Sequence, residues 1–184
     1  KLASRLNRIA ESATIRMGTL TRELIAQGRD IVNLTAGEPD FGPPACAIEA
    51  VEEALKKGLW KYTDVAGTKE LRELVAQTTS ALHPQIKPWQ VNNVIICNGG
   101  KQALYNVFMA ILDPGDEVLV PSPFWVSYPE MVKMADGVCV EMRTLRDAGF
   151  KLTPDLLLAT LRKHPKARAL ILNSPSNPAG IVYT

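Results

Sequence analysis

Three short stretches of the sequence combine residue types suited to holding a flat, phosphate-bearing ligand. In Asn98-Gly99-Gly100-Lys101-Gln102 two glycines allow a close backbone approach, and the free N–H groups at the start of the helix that follows suit a phosphate. A tight strand-to-helix turn also needs glycine, so that plainer reading stays open. The stretch is not a Walker A loop, because no glycine stands five residues before Gly100 and Gln102 replaces the magnesium-holding Ser or Thr. Nor does it spell the Gly-x-Gly-x-x-Gly dinucleotide fingerprint. Pro121-Ser122-Pro123-Phe124-Trp125-Val126-Ser127-Tyr128-Pro129 offers Trp125 and two further aromatics as a stacking platform, although Trp125 taken singly also fits a core. In Asn173-Ser174-Pro175-Ser176-Asn177-Pro178-Ala179-Gly180 the prolines fix the backbone and hold Asn177 out as an amide donor; alone, this is an ordinary turn.

Each stretch follows a short apolar run: Val94-Ile95-Ile96-Cys97, Glu117-Val118-Leu119-Val120 and Ala169-Leu170-Ile171-Leu172. With Val138-Cys139-Val140-Glu141 these are the expected strands. The spacing predicts helices between them over about 101–112, 126–135 and 154–163. Runs of four apolar residues separated by helices indicate strands buried on both faces, hence an α/β fold with a mostly parallel sheet. In such sheets ligands bind beyond the carboxyl ends of the strands. All three stretches fall there, and together they are far more specific than any one alone.

Upstream, residues 1 to about 28 form a polar, helix-prone arm with an imperfect stripe of Ile15, Leu20, Leu24 and Ile25 that ends at Gly28. The run Ile31–Leu34 leads into a loop from Thr35 to Pro44, too rich in Gly and Pro for regular structure. A helix is expected over 45–57, with Ile48, Val51, Ala54 and Leu55 at helical spacing and Gly58 as its cap. Another is expected over 68–82, with Leu71, Leu74 and Val75 on one face. Trp60 and Tyr62 lie in the turn-rich connection between them.

Composition narrows the rest. With 46% hydrophobic and 22% charged residues, a packed core is expected, and the formal net charge of +2 is dispersed. Its densest basic cluster, Arg162, Lys163, His164, Lys166 and Arg168, falls at a helix end, where it complements the helix dipole; no nucleic-acid partner is implied. Cys46, Cys97 and Cys139 form no Cys-x-x-Cys pair, so neither a zinc site nor a redox motif is suggested, and no metal is expected. No apolar run approaches the ~20 residues of a membrane span, and a cytoplasmic address is expected. Residue 1 is Lys rather than Met and the chain stops just after a turn, so a segment of a longer protein is expected, with an exposed sheet edge beside Ala169–Leu172.

These residues carry a resemblance. The stretches Thr35–Phe41, Asn98–Leu104, Asp113–Val118, Trp125–Met131 and Asn173–Gly180, in that order, resemble the class I aminotransferases of fold type I, specifically the bacterial aspartate aminotransferase branch. The resemblance implies pyridoxal 5'-phosphate as cofactor and a homodimer with active sites at the subunit boundary. It also implies a large α/β domain, here partial over residues 45–184, preceded by an arm and small-domain portion over residues 1–44. The intact protein is then expected to move an amino group from aspartate to 2-oxoglutarate. Prephenate aminotransferase is a close relative that the sequence does not separate; a fold-type I lyase, or a non-catalytic binding or dimer-forming remnant, are further alternatives.

The resemblance also implies roles. The turn at Gly99, Gly100 and Lys101 gives backbone amides to the cofactor phosphate, and Tyr62 reaches the phosphate of the neighbouring subunit. Trp125 packs on the pyridine ring beside the substrate, Asn177 donates to the ring hydroxyl oxygen and borders the substrate, and Gly37 contacts the substrate carboxylate through its backbone. Lys101 is associated with the distal carboxylate of aspartate or glutamate, a reasonable partner for an ammonium; a helix-start lysine that is merely solvated is the alternative. The family's cofactor-bearing lysine, its pyridine-nitrogen aspartate and its α-carboxylate arginine are expected beyond Thr184. No catalytic residue is therefore assigned in this chain, and the 184-residue stretch alone is expected to be inactive.

Overall fold

A computed structural model describes residues 2–35 and 37–183. By its internal contacts the chain divides into two compact units, Lys1–Thr35 with Lys101–Thr184, and Ala36–Gly100.

The first unit is built on a three-stranded parallel sheet: β1 (Glu117–Ser122), β2 (Val138–Arg143) and β3 (Ala167–Leu170), in the order β2-β1-β3. Central β1 has Val118, Leu119 and Val120 all at or below 1% exposure, because both faces are covered. Side chains alternate along a strand. Val118 and Val120 therefore share one face with Phe108 of α4 (Gly99–Ile111), with Leu112, and with Tyr128, Met131 and Val132 of α5 (Ser127–Met134). Leu119 faces the other way, into Val140 and Met142 of β2, where Leu156 and Leu157 of α6 (Pro154–Lys163) close the layer. The expected α/β fold with a parallel sheet is what the structure has.

Helix α6 matches its expected limits because its ends are written locally. Thr153 Oγ1 accepts the Leu156 N–H at 3.3 Å, Pro154 opens the first turn, Asp155 lies at the positive end of the dipole, and Arg162 and Lys163 lie at the negative end. Past that end, His164 Nδ1 meets Glu117 Oε1 at 3.0 Å, linking the helix to the first residue of β1. The arm contains a 3-10 turn, Ser4–Arg8, and α1 (Ala13–Ala26), started by Ser12, whose Oγ accepts the Ile15 N–H.

The second unit holds α2 (Ala45–Lys56), α3 (Lys69–Leu82) and a 3-10 turn, Val91–Asn93. Arg72 of α3 ties that turn down, its guanidinium donating to the carbonyls of Val91 and Val94, each at 2.9 Å. Gly67 has φ +97°, and a Cβ there would lie 2.6 Å from Ile96 Cγ1, so the backbone runs against Ile96 where a larger residue would not fit.

One expectation is corrected here. Val94–Cys97 is extended but is not a strand: Ile96 N–H donates to Ala66 O at 2.9 Å and Ile95 is 69% exposed, so the segment is fixed by a loop contact rather than a ladder. Four apolar residues in a row satisfy the pattern of a buried strand without supplying a neighbour to pair with. The stripe Ile48, Val51 and Leu55 of α2 is helical as expected, yet it is exposed within this chain. Elsewhere the shifts are small: β3 starts two residues before its expected position, and α4 starts at Gly99, so both glycines are in its first turn rather than ahead of it.

Candidate active site

The structure places Lys101, Trp125 and Asn177 in the first unit, and Gly37, Tyr62, Gly99 and Gly100 in the second. It brings Lys101 and Trp125 together. Lys101 lies in the first turn of α4, and its Nζ is 5.1 Å from the centre of the Trp125 ring, over its face. An ammonium over an indole face is held by the ring quadrupole.

Trp125 is fixed in turn. It follows β1, packs on the core beneath, and meets the buried Tyr128 edge-on with 5.5 Å between ring centres and 89° between planes. Burial pushes the Tyr128 phenol above its usual pKa, so this brace is neutral. Trp125 thus packs against the core and also lines a cleft.

That cleft, of about 500 Å³, is bounded by Lys101, Trp125, Ser127 and Glu130 on one side and by Ala10–Ile15 of the arm on the other. The arm is tied across it. The Ala10 N–H donates to Glu130 Oε2 at 2.7 Å, and Arg8 pairs with Asp136, which follows α5. The Arg8 guanidinium holds the Asp136 carboxyl below its usual pKa, so the tie persists into mild acid. Glu130 also receives Lys133 Nζ at 2.9 Å on its other oxygen, which leaves its charge compensated. Among the described residues Lys101 makes no ion pair. A ligand entering the cleft therefore meets the Lys101 ammonium on one wall and the Glu11 carboxylate on the arm side.

A second, narrower cleft opens beyond the carboxyl ends of β1 and β3, lined by Pro121, Phe124, Tyr128, Asn173 and Asn177. It encloses about 30 Å³, room for a water or one oxygen substituent but not for a ring. Asn177 is exposed, and its own N–H donates to Asn173 Oδ1 at 3.0 Å.

At the start of α4, Gly99 adopts φ +83°, and a Cβ at either Gly99 or Gly100 would meet nothing within 4 Å. The Gly99 N–H donates back to Cys97 O at 2.8 Å. Gly100 and Lys101 lie in the first turn of α4, where backbone amides have no acceptor one turn earlier in the helix. Gly37 is exposed in its loop, next to Ala36, which is outside the described residues, and Tyr62 is fully exposed.

Sequence reasoning missed the arm as a wall of the Trp125 cleft, and it missed Glu130, Asn173 and Tyr183. Ser12 before a helix and Asn173 before a turn carry capping and turn signals. Nothing local marks Glu130 or Tyr183, whose partners are 120 and 31 residues away.

In the first unit, a parallel sheet carries Trp125 and the Asn177 turn beyond the carboxyl ends of its strands, where α/β proteins bind ligands. The chain belongs to the aminotransferase class I and II family, whose profile matches residues 29–184. It is 46% identical over 183 residues to the aspartate/prephenate aminotransferase of Thermus thermophilus, covering 99% of this chain and 46% of that protein. It is 42% identical to the aspartate aminotransferase of Geobacillus stearothermophilus, covering 100% of this chain and 46% of the relative. Among solved structures, the Thermus thermophilus aspartate aminotransferase with maleate superposes with a TM-score of 0.90 at 45% identity, covering all of this chain and 47% of that one. The chain thus spans about half the length of the curated relatives it matches.

Proposed function

We propose that the protein carrying this chain is a pyridoxal-phosphate-dependent aminotransferase that takes aspartate as amino donor and 2-oxoglutarate as acceptor. The observation that carries the substrate reading is the Lys101 ammonium, without an ion pair among the described residues, held over Trp125 at the wall of the 500 Å³ cleft. A substrate with a second carboxylate would gain a charge-assisted hydrogen bond there. Glu130, which would otherwise repel it, is already paired with Lys133 and the Ala10 amide. The name of the Thermus relative supports prephenate as a second dicarboxylic substrate of the same site.

The residues fit the cofactor. The bare backbone of Gly99 and Gly100 and the helix start suit a phosphate, with the amides of Gly100 and Lys101 as donors. Trp125 is a braced platform for a ring, and the cleft at Asn177 has room for a ring oxygen. When bound, pyridoxal phosphate supplies the electron sink for amino-group transfer. This chain's residues bind and orient: Lys101 selects the distal carboxylate, Trp125 fixes the ring plane, Asn177 donates to the ring oxygen, and Gly37 offers backbone to the substrate carboxylate. Tyr62, fully exposed within its own chain, is assigned to the phosphate of a neighbouring subunit in a homodimer. On the family's pattern the arm and small-domain portion are assigned to residues 1–44 and the larger, partial domain to residues 45–184. The enzyme is assigned to the cytoplasm.

The reading is tested by incubating the protein as encoded with pyridoxal phosphate, aspartate and 2-oxoglutarate and following glutamate. Turnover with aspartate or prephenate-derived donors supports it. Turnover of cystathionine with no transamination would assign a lyase instead, and no binding of pyridoxal phosphate would remove the reading altogether.

A further inference from the structure

Asn177 is exposed and lies on a turn, so something must hold its amide still if it is to serve as a donor, and the structure supplies a clasp in Tyr183, a residue with no assigned role. Inside the turn, the Asn177 N–H donates to Asn173 Oδ1 at 3.0 Å, the Ser176 N–H donates to Ile181 O at 2.9 Å, and the Ile181 N–H donates to Ser176 Oγ at 3.1 Å. These bonds close the turn on itself but do not fasten it to the sheet. Tyr183 does. Its N–H donates to Ser174 Oγ at 3.0 Å, gripping the first half of the turn, and its phenol oxygen accepts the Leu152 N–H at 2.8 Å. Leu152 packs on the core formed by Leu119, Val140 and Met142. The chain of contacts thus runs from the buried centre of the sheet through Leu152 and Tyr183 to the turn that carries Asn177. Tyr183 also walls the narrow cleft that Asn177 lines.

We infer that Tyr183 is a positioning residue: its hydroxyl, bonded to the Leu152 amide, anchors the Asn173–Ile181 turn and so fixes the Asn177 amide toward the ring oxygen of the cofactor. This rests on the proposed cofactor reading for its chemistry, while the clasp itself rests on the hydrogen bonds above. Tyr183 acts through the turn and does not touch the reacting atoms.

The test is Tyr183→Phe in the protein as encoded, which keeps the ring and removes only the hydroxyl. Amide hydrogen exchange and the dissociation constant of pyridoxal phosphate are measured with and without the substitution. One lost hydrogen bond of ordinary strength corresponds to roughly 2–10-fold. Exchange should accelerate by about that factor at Leu152 and across residues 174–181, and pyridoxal phosphate should bind about 2–10-fold more weakly, while the preference for aspartate over alanine, set at Lys101, stays unchanged. Ser174→Ala, which removes the second grip, should act in the same direction. Acceleration confined to Leu152, with the turn amides and cofactor affinity unchanged in both variants, would overturn the inference. If the unsubstituted protein binds no pyridoxal phosphate, the functional reading fails, and the exchange pattern of the turn still decides whether the clasp exists.

Discussion

Three charged side chains, Glu11, Lys101 and Glu130, border the cleft beside Trp125, and Glu130 and Lys101 differ in company. Glu130 is shared between Lys133 and the Ala10 amide, whereas Lys101 rests on an indole face, a contact that stabilises a cation while leaving its ammonium donors open to an anion. That asymmetry leaves Lys101 as the cation open to a carboxylate in the proposed site, with Glu11 of the arm as the nearest competing charge in the lining. Cys139 illustrates the opposite use of burial: removal from water pushes its thiol up to about 11, against an ordinary value of 9.0. A thiol this reluctant to ionise is a poor nucleophile. At pH 8, iodoacetamide should modify the exposed Cys46 rapidly and leave Cys139 unmodified in the folded protein, as read by peptide mass spectrometry; equal labelling of the two would contradict the assignment. Because the folded-state pKa is raised, the stability this thiol contributes is full below pH 9 and is lost as the pH rises through about 11.

At the scale of elements, legibility followed locality. Helix α6 could be read end to end because Thr153, Pro154, Asp155 and Lys163 write its start and stop within ten residues of each other. β1 could be read because burial on both faces leaves an unbroken apolar run. Val94–Cys97 has the same apolar texture but no ladder, since composition reports burial and not the identity of the neighbour. The contact of Lys101 with Trp125 and the tie of Ala10 to Glu130 were likewise unreadable, because both join segments remote in sequence. Two substitutions probe the elements. Gly67→Ala forces a Cβ to within 2.6 Å of Ile96 at φ +97°, and a loss of roughly 1–3 kcal/mol is expected in urea unfolding, whereas an unchanged midpoint would mean that Ile96 yields freely. Leu119→Ala empties the centre of the sheet, where the side chain is 1% exposed, and should cost about 2–5 kcal/mol by the same measurement.

At the scale of the whole molecule, family membership is secure because the matching stretches run through most of the chain, while the chain accounts for about half of its relatives' length. Among the described residues no helix is long and apolar enough to cross a membrane. Exposed apolar groups occur in both units; in the second, Val51 and Leu55 of α2 are joined by Leu59, Trp60, Tyr62 and Val65. Their exposure suits a subunit contact of the proposed homodimer. Sedimentation should give a dimer. Tyr62→Phe should leave it a dimer and weaken pyridoxal phosphate binding by about 10-fold, the scale of one hydrogen bond to a charged group; unaltered binding would remove Tyr62 from the site.

The central claim is that Lys101 reads the second carboxylate of the substrate, and the most direct measurement is the ratio of kcat/KM for aspartate to that for alanine in the unsubstituted protein and in Lys101→Met. Loss of a charge-assisted bond predicts a fall of about 10–100-fold with aspartate and little change with alanine. An equal fall with both substrates, or no fall with either, would contradict the claim and leave Lys101 as a side chain that only packs on Trp125.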